Sequence, residues 1–131
     1  VCSSDLGQDD LPTDVARSLI GPEILLGRST HTLEEINSAQ QQACDYIGIG
    51  PAFATAIKPD RHPIGTTLIR EAVEHCRLPF FAIGGINGTN VSQLTQAGCS
   101  RVAVIGAIMH ATDPGAATLE LLSELERGRS D

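Results

Sequence analysis

Four stretches of this chain end in residues able to hold an anion. Ser29 follows the apolar run Ile24-Leu25-Leu26-Gly27 and leads into Thr30-His31-Thr32. Gly50-Pro51 closes Tyr46-Ile47-Gly48-Ile49 and opens a loop that carries Thr55 and Lys58. Gly84-Gly85 ends the run Pro79-Phe80-Phe81-Ala82-Ile83, and Gly106 ends Val102-Ala103-Val104-Ile105. Lys58 is the one lysine among nine basic residues, in a chain of net charge −7. A compact ammonium holds an anion as a point charge, and glycines let backbone N–H groups come close to an oxyanion.

The elements that must position these residues repeat as strand then helix, four times. The strands read as apolar runs rather than alternating ones, which is the pattern of parallel strands buried on both faces. Pro12 suits the first turn of a helix with an apolar edge at Val15, Leu19 and Ile20, stopped by Gly21-Pro22. Thr32 with Glu35 fits a capping box for a helix running to about Cys44, with Leu33, Ile36 and Ala43 among its buried residues. Leu68, Ile69, Ala72 and Val73 recur at helical spacing. Asn90 starts a helix that Gly98 closes, and a last helix carries Ala116, Leu119, Leu122 and Leu125. Spacing alone leaves two architectures open, a small open α/β sheet and half of an eight-fold barrel. In either, the ligand site lies at the C-terminal ends of the strands. In a barrel, phosphate sits by the loops after the last two strands, here those of Gly85 and Gly106.

The totals fit one globular domain: 131 residues, 41% hydrophobic and 19% charged. With three Phe, one Tyr and no Trp, the core must be aliphatic. An acidic balance argues against a nucleic-acid partner. No apolar run approaches the roughly 20 residues of a membrane span, and no signal-peptide pattern shows, so a cytoplasmic location is expected. The four cysteines (2, 44, 76, 99) have no metal-ligand spacing and are expected as free thiols. Val1-Cys2-Ser3-Ser4-Asp5-Leu6 is what GTG-TGC-TCT-TCC-GAT-CT, the end of a common sequencing adapter, encodes. This reading makes residues 1–6 a non-native leader on a truncated frame, 7–127 a partial barrel domain and 128–131 a disordered tail.

Six ordered pieces then carry a family resemblance: Gly7-Gln8-Asp9-Asp10, Gly27-Arg28-Ser29-Thr30-His31-Thr32, Asp45 to Pro51, Thr55 to Lys58, Ala82-Ile83-Gly84-Gly85-Ile86, and Ala97-Gly98 leading to Val102-Ala103-Val104. Together they resemble the C-terminal portion of thiamine-phosphate synthase. The resemblance implies an incomplete TIM barrel, a (βα)8 fold of which four parallel βα units stand here as strands 5–8. It implies a transfer reaction as well: hydroxymethylpyrimidine diphosphate loses pyrophosphate, and the ring nitrogen of thiazole phosphate takes the exposed carbon. Mg2+ is the implied cofactor, with Asp10 as one carboxylate ligand and Asp9 a solvated or capping neighbour. Ser29 would hydrogen-bond the pyrimidine diphosphate, and Lys58 would hold the diphosphate as it leaves. Thr55, Ala56 and Ile57 would hold the thiazole phosphate, completed by backbone N–H groups of Gly85 and of Ile105-Gly106.

Three positions depart from the family pattern. Ile57 stands for a second threonine, Ala54 for a proline, and Gly106 for a serine. The family's upstream diphosphate and metal ligands are absent from these residues, so the 131-residue chain alone is expected to be inactive and marginally stable. Two rival readings remain: a thiazole tautomerase with His31 as proton shuttle, and a barrel that only binds a phosphorylated ligand. His62, His75 and His110 share no spacing and read as surface or packing residues. Oligomeric state is not readable from the sequence.

Overall fold

The computed structural model describes residues 3–55, 60 and 62–128. They form an alternating chain: β1 (Ser3–Leu6), α1 (Thr13–Ile20), β2 (Leu25–Thr30), α2 (Leu33–Ala39), β3 (Tyr46–Ile49), α3 (Thr67–His75), β4 (Phe80–Ile83), α4 (Val91–Gln96), β5 (Val102–Ala103), α5 (Gly106–Met109) and α6 (Pro114–Arg127). The strands lie side by side in sequence order and every pair is parallel. This is an α/β fold with a five-stranded parallel sheet, of partial-barrel type. The expectation of four strands is corrected to five. Ser3–Leu6 pairs along β2 from Ser3↔Leu25 to Leu6↔Arg28, so residues 3–6 of the expected leader are part of the sheet.

The strands are not buried on both faces, as their apolar runs suggested. Burial alternates: Ile47 and Ile49 of β3 are fully buried beneath the helices, while Tyr46 and Gly48 turn to the other side. On that second face Ile83 keeps 40% of its surface exposed. The helix side holds the main core, with Ile36, Ile47, Ile49, Ile69, Val91 and Leu94 fully buried. It is aliphatic, as the scarcity of aromatic residues requires.

Helix faces differ from their reading at three places. In α1 the inward positions are Thr13, Ala16 and Ile20, which packs with Leu6 and Leu26, while Val15 and Leu19 stay 41% and 71% exposed. Pro12 is the N-cap rather than the first helical residue, which shifts the buried stripe by one position. In α6 the stripe is Leu121 with Leu125, four residues apart, and Leu119 and Leu122 face outward. In α2 the cap forms as expected, Thr32 Oγ1 accepting from Glu35 N–H at 3.2 Å, but the Glu35 carboxylate reaches His31 N–H, at 2.6 Å, beyond the cap itself. That helix stops at Ala39 because the next amides, of Gln41 and Gln42, bond back only three residues, and Ala43 is exposed.

One arginine fastens the lower edge. Arg17 of α1 donates to the carbonyls of Gly21 (2.8 Å) and Ile24 (2.7 Å), and to Asp45 Oδ2 (2.5 Å). Asp45 Oδ2 also accepts from Leu26 N–H at 2.7 Å, so one carboxylate ties α1, β2 and β3 together. The Leu26 amide, and then the Arg17 guanidinium, hold this carboxyl below the usual carboxylate range. Cys44, Cys76 and Cys99 are free thiols, and burial pushes all three up from their ordinary value. Cys2 lies outside the described residues.

Candidate functional site

The C-terminal strand ends open on one cavity of about 550 Å³. Ser29 of β2 and His31, just past its end, form one side. Gly48, Gly50, Pro51, Ala54 and Thr55 follow from β3 and its loop. Ile83, Gly84, Gly85 and Asn87 come from β4, and Ile105, Gly106 and His110 close the far side. No carboxylate lines this wall among the described residues, although the chain carries 16 of them. That leaves the cavity electrostatically open to a phosphorylated ligand.

Two loops are held tightly enough to shape it. The segment after β3 runs along the end of β4, with Ala52 N–H donating to Ile83 O at 2.8 Å and Phe53 N–H to Gly84 O at 3.0 Å. His31 Nδ1 bonds the Gly50 carbonyl, which pins the start of this segment to β2. Gly84 and Gly85 have φ of 96° and 65°, a left-handed pair that turns the chain away from β4. Asn90 holds that turn, donating from Nδ2 to Gly85 O at 2.8 Å and accepting Asn87 N–H at 2.9 Å. The N–H groups of Gly85 and Gly106 have no acceptor among the described residues. Amides of this kind at a cavity wall are what an oxyanion takes up.

An aromatic pair lies outside the cavity lining, on the strands β3 and β4. Tyr46 and Phe81 meet edge to face at 5.9 Å, and Tyr46 donates its hydroxyl to Asp5 Oδ1 at 2.7 Å. Burial, followed by the Asp5 carboxylate, raises the Tyr46 phenol above its ordinary value.

The structure therefore brings together Ser29, Thr55, Gly85, Ile105 and Gly106 of the expected site residues. Ala56, Ile57 and Lys58 lie outside the described residues. Asp10 stands apart from the others. It lines a second cleft with Gln8, Thr13, Asp14, Arg28, Gln41 and Gln42, and its Oδ2 accepts Gly7 N–H at 2.6 Å. Gln8 links the two places, its Nε2 donating to Ser29 O at 2.5 Å. Asp10 is a hard oxygen donor of the kind magnesium takes. Among the described residues, however, no three His, Cys, Asp or Glu side chains assemble to hold an ion. The described residues do not fit a metal by themselves. Sequence reasoning missed Asn90, whose role shows only when the turn it grips is in view. His31 lines the cavity as well as pinning Gly50.

The model of the thiamine monophosphate synthase family matches residues 4–108. The chain belongs to that family. Among curated proteins, the thiamine-phosphate synthase of Prochlorococcus marinus (strain MIT 9313) is 58% identical over 120 residues, 92% of this chain and 34% of the relative. That of Gloeobacter violaceus is 45% identical over 97% of this chain and 38% of its own length. Among solved structures, a thiamine phosphate pyrophosphorylase from Pyrococcus furiosus superposes with a TM-score of 0.85 at 38% identity, over 95% of this chain and 59% of that one. The chain thus spans about a third of the length of these curated synthases. A 3-hexulose-6-phosphate synthase from Salmonella typhimurium, at 18% identity and TM-score 0.69, shares the fold alone. This synthase-family chain has no helix, among the described residues, long and apolar enough to cross a membrane.

Proposed function

We propose that the protein carrying this chain is a thiamine-phosphate synthase of the cytoplasm, and that β2 to β5 supply strands 5–8 of its TIM barrel, with β1 ahead of them, and one side of its active site. The observation that carries this reading is the single carboxylate-free cavity shared by Ser29, Thr55, Gly85 and Gly106, in a chain of that family. The substrates are hydroxymethylpyrimidine diphosphate and thiazole phosphate. The C–O bond to the diphosphate breaks, the electron pair leaves with pyrophosphate, and the thiazole nitrogen lone pair forms the new C–N bond. Ser29 donates its hydroxyl to the diphosphate. Lys58, a compact point charge, neutralises it as it departs. Thr55, with Ala56 and Ile57, holds the thiazole phosphate against the amides of Gly85 and Gly106. Ile57 and Gly106 offer no side-chain hydroxyl, so the phosphate rests more on backbone donors. Mg2+, were the full-length protein to hold it, would supply Lewis-acid stabilisation of the diphosphate, and Asp10 would be one of its ligands. The 131 residues alone, with that single carboxylate, are proposed to be inactive.

A second reading has one observation behind it. His31 lines the cavity with Nδ1 engaged and no partner for Nε2 among the described residues, which suits a tautomerase proton shuttle. Incubating the full-length protein with both substrates and magnesium separates the readings. A synthase forms thiamine phosphate with one pyrophosphate released per turnover. A tautomerase releases none, and a binding-only barrel retains thiamine phosphate without making it.

A further inference from the structure

Five glycines line the cavity, and three are there because the backbone leaves no room. A Cβ on Gly50 would lie 2.1 Å from Ile83 O, one on Gly84 2.6 Å from Pro51 Cβ, and one on Gly85 2.3 Å from Ala54 O. On the same sheet face, Gly27 yields its space to the Tyr46 ring, 2.4 Å from its would-be Cβ. Gly106 has room, but its amide is already assigned to a phosphate. Gly48 is different. Among the described residues its Cβ would meet only Ile83 Cγ2, at 3.9 Å, an ordinary contact. Its φ lies outside the left-handed region. Neither crowding nor backbone geometry asks for glycine, yet it sits in β3, the middle strand, where glycine weakens a sheet. In register it faces Ser29 on β2 and Phe81 on β4, so the centre of the sheet's open face has a gap one side chain deep.

We propose that Gly48 is the specificity-determining position of this cavity: its missing side chain reserves the floor on which a planar nitrogen-heteroaromatic ring lies. This rests on the synthase reading. Since its neighbour Ser29 is assigned to the pyrimidine diphosphate, the ring over Gly48 is the pyrimidine. Ile83 gives that ring an apolar edge to pack on. A methyl group at position 48 would occupy the ring's contact distance without disturbing the protein, and a larger side chain would fill the slot.

The test compares the full-length protein with its Gly48→Ala and Gly48→Leu variants, using calorimetric binding of thiamine phosphate, binding of inorganic pyrophosphate, and turnover. Gly48→Ala is expected to melt like the parent and to raise the Kd for thiamine phosphate about tenfold, and Gly48→Leu by about a hundredfold or more, the span that overpacking a fitted contact covers. Pyrophosphate, which has no ring, is expected to bind all three alike. Unchanged thiamine phosphate binding in Gly48→Leu overturns the proposal. So does a Gly48→Ala protein that fails to fold, because the space would then be filled by protein. So does a parallel loss of pyrophosphate binding, which would mean general damage. A parent that binds thiamine phosphate and responds to Gly48 but does not turn over substrate leaves Gly48 as the ring site and removes the synthase reading.

Discussion

Asn90 Nδ2 donates to the Gly85 carbonyl at 2.8 Å, and its Oδ1 takes Asn87 N–H at 2.9 Å. One side chain at the start of α4 thus grips both ends of the turn that sets the Gly85 amide on the cavity wall. Asn90→Ala frees that turn. The expected result is a KM for thiazole phosphate raised about tenfold, with kcat changed less, and a loss of roughly 1–2 kcal/mol in urea unfolding. Asn90→Asp keeps the Asn87 contact but sets a carboxylate oxygen against Gly85 O, and is expected to be no better than alanine. Unchanged KM in both variants would contradict the assignment of Gly85 to the phosphate.

His31 bonds a carbonyl through Nδ1, and a carbonyl can only accept. The proton of neutral His31 therefore sits on Nδ1, with the Nε2 lone pair left for the cavity. Nitrogen-15 NMR of the imidazole above pH 8 is expected to show the Nδ1–H tautomer. An Nε2–H tautomer would break the contact with Gly50 and with it the account of how this segment is pinned.

The Asp45 carboxyl is held low by Leu26 N–H and by Arg17. A depressed folded-state value stabilises the protein above the unfolded value, about 3.9, and the gain is lost as pH falls through the folded one. The stability gap between the parent and Asp45→Asn is thus expected to be widest near neutral pH and to close below about pH 4. A gap that stays constant or grows in acid would contradict this. Arg17→Ala, which also strips the carbonyls of Gly21, Ile24 and Ala43 of their donor, is expected to cost about 2 kcal/mol at neutral pH.

Lys58 is assigned to the leaving diphosphate. Lys58→Ala is expected to lower kcat by about 10²- to 10³-fold, the cost of removing one such electrostatic donor. Lys58→Arg is expected to recover only part of it, because a planar fork does not replace a compact ammonium. Full activity in Lys58→Ala would place the lysine outside the chemistry.

The parallel α/β class and the crowding of ligand groups at strand ends were legible in the sequence, because Ile47, Ile49 and Ala82 are apolar and each run stops at small or polar residues. Ser29, Gly85 and Gly106 could be read as neighbours for that reason alone. What the runs concealed was their one-sidedness. Gly48 counts as apolar in a sequence yet lines the cavity, and Tyr46 lies on that same open face of the sheet, not in the core. The helix faces slipped where a cap decided the phase, as Pro12 did for α1. Asp10, implied as a ligand of the same site, lines a separate cleft instead, which Gln8 ties to Ser29. Asn90 was invisible beforehand, since an asparagine opening a helix looks like a cap, and this one spends its amide on a turn.

The most direct measurement of the central claim is a crystal structure of the full-length protein with thiamine phosphate bound. The account predicts the phosphate within hydrogen-bonding distance of the Gly85 and Gly106 amides and the pyrimidine ring lying over Gly48 beside Ser29. Thiamine phosphate in the Asp10–Arg28 cleft, or with its phosphate away from both glycines, would contradict it.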